Sequence, residues 1–87
     1  MPRISYFFGI SIRMYWEEGV HGRPHFHARY GGRVAVFDFD GVVIAGRLPP
    51  RVRRLVRKWA RLHTDELAAN WERARDGDPL EPIAPLR

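Results

Sequence analysis

Three of the four histidines lie close together in the chain, at His21, His25 and His27. Residues 25–30 alternate polar with apolar side chains, which is typical of a half-buried strand. Successive strand side chains point to opposite faces, so His25, His27 and Arg29 are predicted to share one solvent-facing side. Imidazoles can exchange protons or bind a metal ion, and a guanidinium can hold an anion. This segment is therefore the first candidate for chemistry.

Four interpretations of this cluster stay open. In the simplest, His25 and His27 are solvent-facing strand residues without a further role, and His21 is incidental in the preceding loop. In the second, His21, His25 and His27 bind zinc or another divalent transition metal. The third is acid and base catalysis of RNA cleavage. The fourth is non-catalytic contact with phosphate or with a partner protein.

The third interpretation is general acid and base catalysis of RNA cleavage. One imidazole, His25 or His27, would remove the 2′-hydroxyl proton, and the other would protonate the leaving oxygen. Arg29 would balance the charge of the phosphorane. The reference pKa of histidine, about 6.5, suits both roles at neutral pH. This interpretation needs no cofactor.

Positive charge is concentrated in one helix-sized block of the sequence. The formal net charge is +5, and residues 49–63 contain six basic residues and no acid. Residues 64–87 contain three arginines and six acids. An acid-free basic block predicts contact with phosphate backbones or with an acidic protein. The candidate contact residues are Arg53, Arg54, Arg57, Lys58 and Arg61.

Size and composition exclude several classes of protein. A chain of 87 residues has room for one modest core and not for a large substrate cleft. The absence of cysteine excludes disulfides, thiolate metal sites and a cysteine nucleophile. The apolar stretch at residues 1–10 is too short and too interrupted for a signal peptide or a membrane span. We therefore expect a soluble, cytoplasmic protein without membrane contact.

Two kinds of element would position the candidate residues. Alternating segments predict strands, with a bend or bulge at Gly9 and tight turns at Gly31-Gly32 and Asp40-Gly41. These segments form an antiparallel meander of three to four strands. The strand at 33–40 is apolar on both faces, so we expect it to be central. The predicted strand segments are residues 4–16, 25–30, 33–40 and 42–46.

Two helices are predicted to follow the sheet. Pro49-Pro50 opens the first, whose apolar stripe is formed by Val52, Leu55, Val56, Trp59 and Leu62. Thr64 is the predicted N-cap of the second helix, which runs to about Arg75 and ends at Gly77. The sequence thus predicts an α+β fold: a small antiparallel meander followed by two C-terminal helices packed on one face.

The last ten residues have no helical or strand period. Prolines at every third position, from Pro79 to Pro85, predict an extended tail with Leu80, Ile83 and Leu86 against the domain or a partner, or else a disordered one. We therefore assign residues 1–77 to a single α+β domain and residues 78–87 to a proline-spaced tail.

Several motifs, in order, resemble a known family. They are M-P-R-I-S-Y-F-F-G-I, P-H-F-H-A-R-Y-G-G, G-R-L-P-P-R, L-V-R-K-W-A-R-L-H and E-L-A-A-N-W-E-R-A-R-D-G. Together they are similar to the bacterial domain of unknown function 4160, over nearly the whole chain. The family pattern includes histidines matching His21, His25 and His27, although Arg23-Pro24 replaces a common pair of prolines. The resemblance implies a small prokaryotic protein, often encoded beside another small protein as in toxin and antitoxin pairs.

Three functional hypotheses follow from charge, histidines and resemblance. The first is a toxin–antitoxin-type module that contacts RNA or DNA through the basic helix and the histidine-arginine face, with or without RNA cleavage. The second is an interaction module that binds an acidic partner protein encoded nearby, through the basic helix and the tail. The third is a histidine-ligated metal protein. An exposed edge strand would also permit a homodimer. Whether the protein is an enzyme stays open.

Overall fold

The computed structural model describes residues 3–16 and 23–87. It contains one antiparallel sheet in which every strand pairs with the next in sequence, in the order β1-β2-β3-β4-β5. Two helices follow, so the predicted α+β class and meander topology are confirmed. The elements are β1 Arg3–Phe7, β2 Ile10–Arg13, β3 Phe26–Tyr30, β4 Arg33–Phe37, β5 Val43–Gly46, α1 Pro50–Leu62 and α2 Thr64–Asp76.

The sheet has five strands because the predicted bend at Gly9 is a complete hairpin. Phe7 pairs with Ile10, which leaves Phe8 and Gly9 as a two-residue turn. Both turn residues have positive φ, at 50° and 79°. This combination is the turn that matches the twist of antiparallel strands, and glycine adopts it without a steric penalty. The prediction of three to four strands was therefore too low.

The other two predicted turns are confirmed. Tyr30 pairs with Arg33 across Gly31-Gly32. The turn between β4 and β5 is organised by Asp38, whose carboxylate accepts hydrogen bonds from the backbone amides of Asp40 and Val42, both at 3.0 Å. A side chain that satisfies two turn amides holds the connection in one conformation. β4, as expected, is an interior strand.

The apolar stripe of α1 packs on one face of the sheet. Trp59 is fully buried, as predicted, with its ring 5.5 Å from that of Phe7 and 5.6 Å from that of Phe26. Leu62 was predicted to belong to the stripe, but it is 63% exposed, and Ala60 is buried instead. Leu62 lies at the margin of the stripe, in the last turn of the helix.

The start of α2 differs from the prediction by one residue. His63 occupies the N-cap position, and Thr64 is the first helical residue. The Thr64 hydroxyl donates to the carbonyl of Ala60 at 3.1 Å. Because the two helices join without a loop, this hydroxyl satisfies the end of α1 and not the first amides of α2. The predicted end of the helix at Gly77 is confirmed.

The tail lies against the domain, which is one of the three arrangements predicted for it. Ile83 and Leu86 are buried, and Leu80 packs on the core. The Ile83 amide donates to the carbonyl of Ile4 at 2.7 Å, so the tail adds a backbone hydrogen bond beside β1. The apolar tail residues are therefore not available to a partner protein while the tail is docked.

Two buried side chains attach the tail to the helices. Asn70 is fully buried. Its side-chain nitrogen Nδ2 donates to the backbone carbonyl of Glu81 at 2.8 Å, and its side-chain oxygen Oδ1 accepts from the backbone amide of Glu81 at 2.9 Å. The indole of Trp59 donates to the carbonyl of Ala84 at 2.9 Å. Since a tail without a hydrogen-bonding ladder would otherwise bury unsatisfied backbone groups, these side chains replace the missing strand partner.

Candidate functional site

His25 is buried, and the prediction that it faces solvent is wrong. It precedes β3, is 5% exposed and packs its ring 5.1 Å from that of Trp71 on α2. Its Nδ1 donates to the carbonyl of Arg23 at 2.8 Å. Strand alternation begins only at Phe26, so it does not determine the direction of the residue before it. His25 is thus a packed residue: its Nδ1 is hydrogen-bonded to a nearby carbonyl, and its ring contacts the indole of Trp71.

His27 and Arg29 lie on the face of the sheet opposite the helices, as predicted. Arg29 is exposed and His27 is half-buried. The His27 ring stacks on Tyr15, with centroids 4.8 Å apart and planes 15° from parallel. The Tyr15 hydroxyl lies 3.2 Å from Nε2 of His27. The imidazole is thus held against a neighbouring aromatic ring on this open face of the sheet.

The structure brings His25 and His27 together, but it exposes them unequally. Their ring centroids are 5.4 Å apart and the planes are inclined by 67°. Acid and base catalysis on one substrate requires both imidazoles within hydrogen-bonding reach of it. Trp71 packs on His25, while His27 is half-buried on the other side of the pair. Acid and base catalysis by His25, His27 and Arg29 therefore stays a prediction. The arrangement is that of a packed cluster at the end of β3.

The metal interpretation depends on a residue outside the described part of the chain. His21 lies in the segment 17–22, which is not described. Within residues 3–16 and 23–87, no three histidine, aspartate or glutamate side chains are close enough to hold a metal ion together. Zinc or transition-metal binding by His21, His25 and His27 therefore stays a prediction.

The basic residues of α1 lie where the sequence predicted them. All five candidate residues are exposed, and Arg51 is exposed with them. The ion pairs found among described residues are Arg23 with Asp38, His63 with Glu66, and Arg75 with its two acidic neighbours. None involves α1. We refer to Arg53, Arg54, Arg57, Lys58 and Arg61 as the α1 basic face.

A cleft beside β5 continues this positive surface. One cavity of about 410 Å³ lies between α1 and the turn after β4, and an adjoining cavity of about 390 Å³ lies between α1 and the end of β5. They share Val43, Pro50 and Arg53. We refer to the two together as the β5 cleft. Its arginines are Arg33, Arg47, Arg53, Arg54 and Arg57.

Two of these arginines, Arg33 and Arg47, were not predicted as site residues. Arg33 begins β4, and Arg47 directly follows β5. Neighbouring antiparallel strands place the start of one beside the end of the other, so the two residues meet at the same end of the sheet. The signal was present in the sequence, as a basic residue on each side of the predicted β4–β5 hairpin.

The family model described as "Domain of unknown function (DUF4160)" matches residues 9–72 of the chain. The chain belongs to this family. No curated protein and no solved structure matches it. The resemblance predicted from the motifs is confirmed, while the prokaryotic occurrence and the toxin–antitoxin-like gene arrangement stay predictions.

The DUF4160 match includes the α1 basic face and the β5 cleft. It excludes β1 and the tail, which meet at the opposite edge of the sheet. It contains β2 to β5, the whole of α1 and α2 as far as Glu72. β1 and the tail lie outside the match, and they bond to each other through Ile4 and Ile83. In the described ranges of this DUF4160 chain, neither helix has the length and apolar composition needed to cross a membrane.

Proposed function

We propose that this protein is a nucleic-acid-binding module of a toxin–antitoxin-type system, which contacts phosphate backbones through the α1 basic face. One observation carries the proposal: α1 exposes its basic residues together, and no carboxylate pairs with them in the described part of the structure. A cationic surface that is not neutralised internally gains free energy by replacing the condensed counterions of a polyanion.

The spacing of the α1 basic face suits a row of phosphates. Arg54, Arg57 and Arg61 follow one another at spacings of three and four residues, so they lie along one side of the helix, and Lys58 lies four residues after Arg54 and three before Arg61 on the same side. Together with exposed leucine Leu62, they line a shallow surface depression of about 350 Å³. Four phosphate contacts would give a slope of log affinity against log salt concentration of roughly −3 to −4.

The open face of the sheet is the rival surface, and its side chains are more constrained. The guanidinium of Arg3 lies 4.8 Å from the ring centroid of Tyr6, and His27 is stacked on Tyr15. A phosphate would have to compete with these contacts. RNA cleavage by His25, His27 and Arg29 is not part of the proposal, because Trp71 covers His25.

Two charge-reversal variants test the proposal. Binding of labelled single-stranded RNA and duplex DNA is measured by fluorescence anisotropy across a range of salt concentrations. Lys58→Glu/Arg61→Glu changes the α1 basic face, whereas Arg3→Glu/Arg29→Glu makes the same change of net charge on the open face of the sheet. We expect the helix variant to lose at least about tenfold in affinity and the sheet variant to lose about threefold or less.

Three results would overturn the proposal. The first is the absence of salt-dependent binding by the unchanged protein. The second is an equal loss in both variants, which would show a response to net charge alone. The third is a larger loss in the sheet variant, which would move the interface to the face of His27 and Arg29.

A further inference from the structure

We infer that the outer edge of β5 and the β5 cleft form a docking site for an extended acidic segment of a partner protein, which adds to the sheet as a sixth strand. This inference goes beyond the proposed nucleic-acid binding. It assigns a protein partner to the β5 edge and to a cleft that shares Arg53, Arg54 and Arg57 with the α1 basic face and adds Arg33 and Arg47. The sequence did not single out this edge.

β5 is an edge strand, and the backbone groups on its outer side face no further strand in the described structure. It pairs only with β4, and no hydrogen bond found among the described residues joins its outer side to another segment. Amides and carbonyls along such an edge are a template for another strand. Extended segments bind sheet edges in this way, with backbone hydrogen bonds supplying part of the affinity.

Apolar side chains are exposed along the same edge. Val42 is 51% exposed, Ile44 is 40% exposed and Val34 on the adjacent strand is 43% exposed. Exposed β-branched side chains beside an open edge favour packing by an added strand. At the opposite edge the tail already donates a backbone hydrogen bond to β1 at Ile4, whereas the described structure shows no such contact on the outer side of β5. β5 is therefore the edge that favours a further strand.

Charge identifies the occupant. The cleft beside β5 contains five arginines, and none of them pairs with a carboxylate within the described ranges. An added strand would place every second side chain toward this cleft and the others toward Val34 and Ile44. Complementarity therefore calls for acidic residues at the first set of positions and apolar residues at the second.

A second copy of the protein fits this edge poorly. β5 itself contains no acidic residue, and a copy paired with it would bring its own cleft arginines toward those of the first. Like charges facing each other across an interface oppose association. The cleft therefore favours an acidic partner over a homodimer formed through β5.

The test uses a synthetic peptide in which glutamate alternates with valine. Amide chemical shifts and hydrogen exchange of the protein report where the peptide lies, and titration gives its affinity. We expect protection of amides in β5. A peptide of the same length with lysine in place of glutamate should not bind. A glutamate peptide methylated at its backbone nitrogens keeps its charge but cannot donate, so its affinity should fall at least tenfold.

Protein variants separate this site from the nucleic-acid surface. Arg33→Glu/Arg47→Glu changes the cleft outside α1, and it should weaken peptide binding at least tenfold while nucleic-acid binding changes about threefold or less. Arg3→Glu/Arg29→Glu is the matched control and should leave peptide binding within about threefold. Lys58 and Arg61 belong to the α1 basic face and do not line the β5 cleft. If Lys58→Glu/Arg61→Glu abolishes nucleic-acid binding and β5 still accepts the peptide, the two proposals stand independently.

Four outcomes would overturn the inference. They are equal binding of the methylated peptide, protection outside β5, binding of the lysine peptide, and self-association of the protein through β5 in the absence of peptide. Failure of nucleic-acid binding alone would leave the inference intact, because its readout is confined to β5 and the peptide.

Discussion

β1 and β5 are the two outer strands of one sheet, and they differ in what lies against them. Beside β1, the amide of Ile83 donates to Ile4, and tail residues fill the adjoining core. Beside β5, the described structure places no backbone partner, and the nearest feature is a cleft containing arginines. The first edge is closed at Ile4 by the chain itself, while the second is open and bordered by charge.

The difference shows two ways of ending a sheet without aggregation. A docked segment uses the free backbone groups, whereas flanking cations repel further copies and leave those groups usable by an anionic segment. The first solution contributes to stability, and the second leaves the edge open to a partner. Changes near β1 should therefore affect folding more than changes near β5, and three predictions test this comparison.

Deletion of residues 80–87 should have the largest effect. It removes the buried side chains of Ile83 and Leu86, each contributing about 1.5–3 kcal/mol, and leaves Asn70 and the Trp59 indole without their tail partners. We expect the free energy of unfolding, measured by urea denaturation, to fall by about 5 kcal/mol, which is comparable to the total stability of a small domain.

The matched control is deletion of Arg87 alone, which is exposed and should change little. The open edge of β1 should also make the truncated protein self-associate, as measured by analytical ultracentrifugation. Unchanged stability after truncation would show that the tail does not protect β1.

Gly46→Ala should have an intermediate effect and should act on β5. Gly46 has a φ of 81°, and a Cβ there would collide with the carbonyl oxygen of Val34 and lie 2.9 Å from Cα of Ala35. The backbone strain and the overpacking each cost about 1–3 kcal/mol. Because β5 is at an edge, we expect it to detach locally while the rest of the sheet persists.

Hydrogen exchange should then show loss of protection in β5 and its retention in β2 and β3. Gly32→Ala is the control, because a Cβ at that position meets no atom within 4 Å. Global unfolding of Gly46→Ala would contradict the view that β5 is a separable edge.

The smallest effect on the free energy of unfolding is expected for replacement of an isoleucine in β5, compared with the same replacement in β1. Ile44→Thr changes an exposed side chain, and its free energy of unfolding should differ by about 0.5 kcal/mol or less. Ile4→Thr makes the same change at the closed edge, where the side chain is 2% exposed, and should cost about 2 kcal/mol or more. Equal costs at the two positions would remove the distinction between the edges.

Local patterns predicted most of the fold because most contacts are local. The α1 stripe, the two glycine turns and the alternation in β3 all lie within single elements or hairpins. The fifth strand was missed because a glycine between two apolar runs is compatible with a bulge or with a hairpin. Pairing decides between them, and pairing is not visible in one strand.

The predictions that were wrong or missing concern residues that contact distant parts of the chain. His25 is buried because Trp71 reaches it from α2, and strand alternation contains no information about that contact. Asn70 was not singled out because its partner, Glu81, lies in a segment without a period. The α1 basic face was predicted fully, since charge on the outer side of an amphipathic helix depends only on helical spacing.

The hydrogen bond between Ile83 and Ile4 connects opposite ends of the sequence, whereas every strand pair connects neighbours. Hairpins between neighbouring strands close short loops and form early, but a contact between residues far apart in the sequence must overcome a larger loss of chain entropy. The tail should therefore dock after the rate-limiting step of folding. Its loss would then accelerate unfolding far more than it slows folding, so the tail sets the lifetime of the native state.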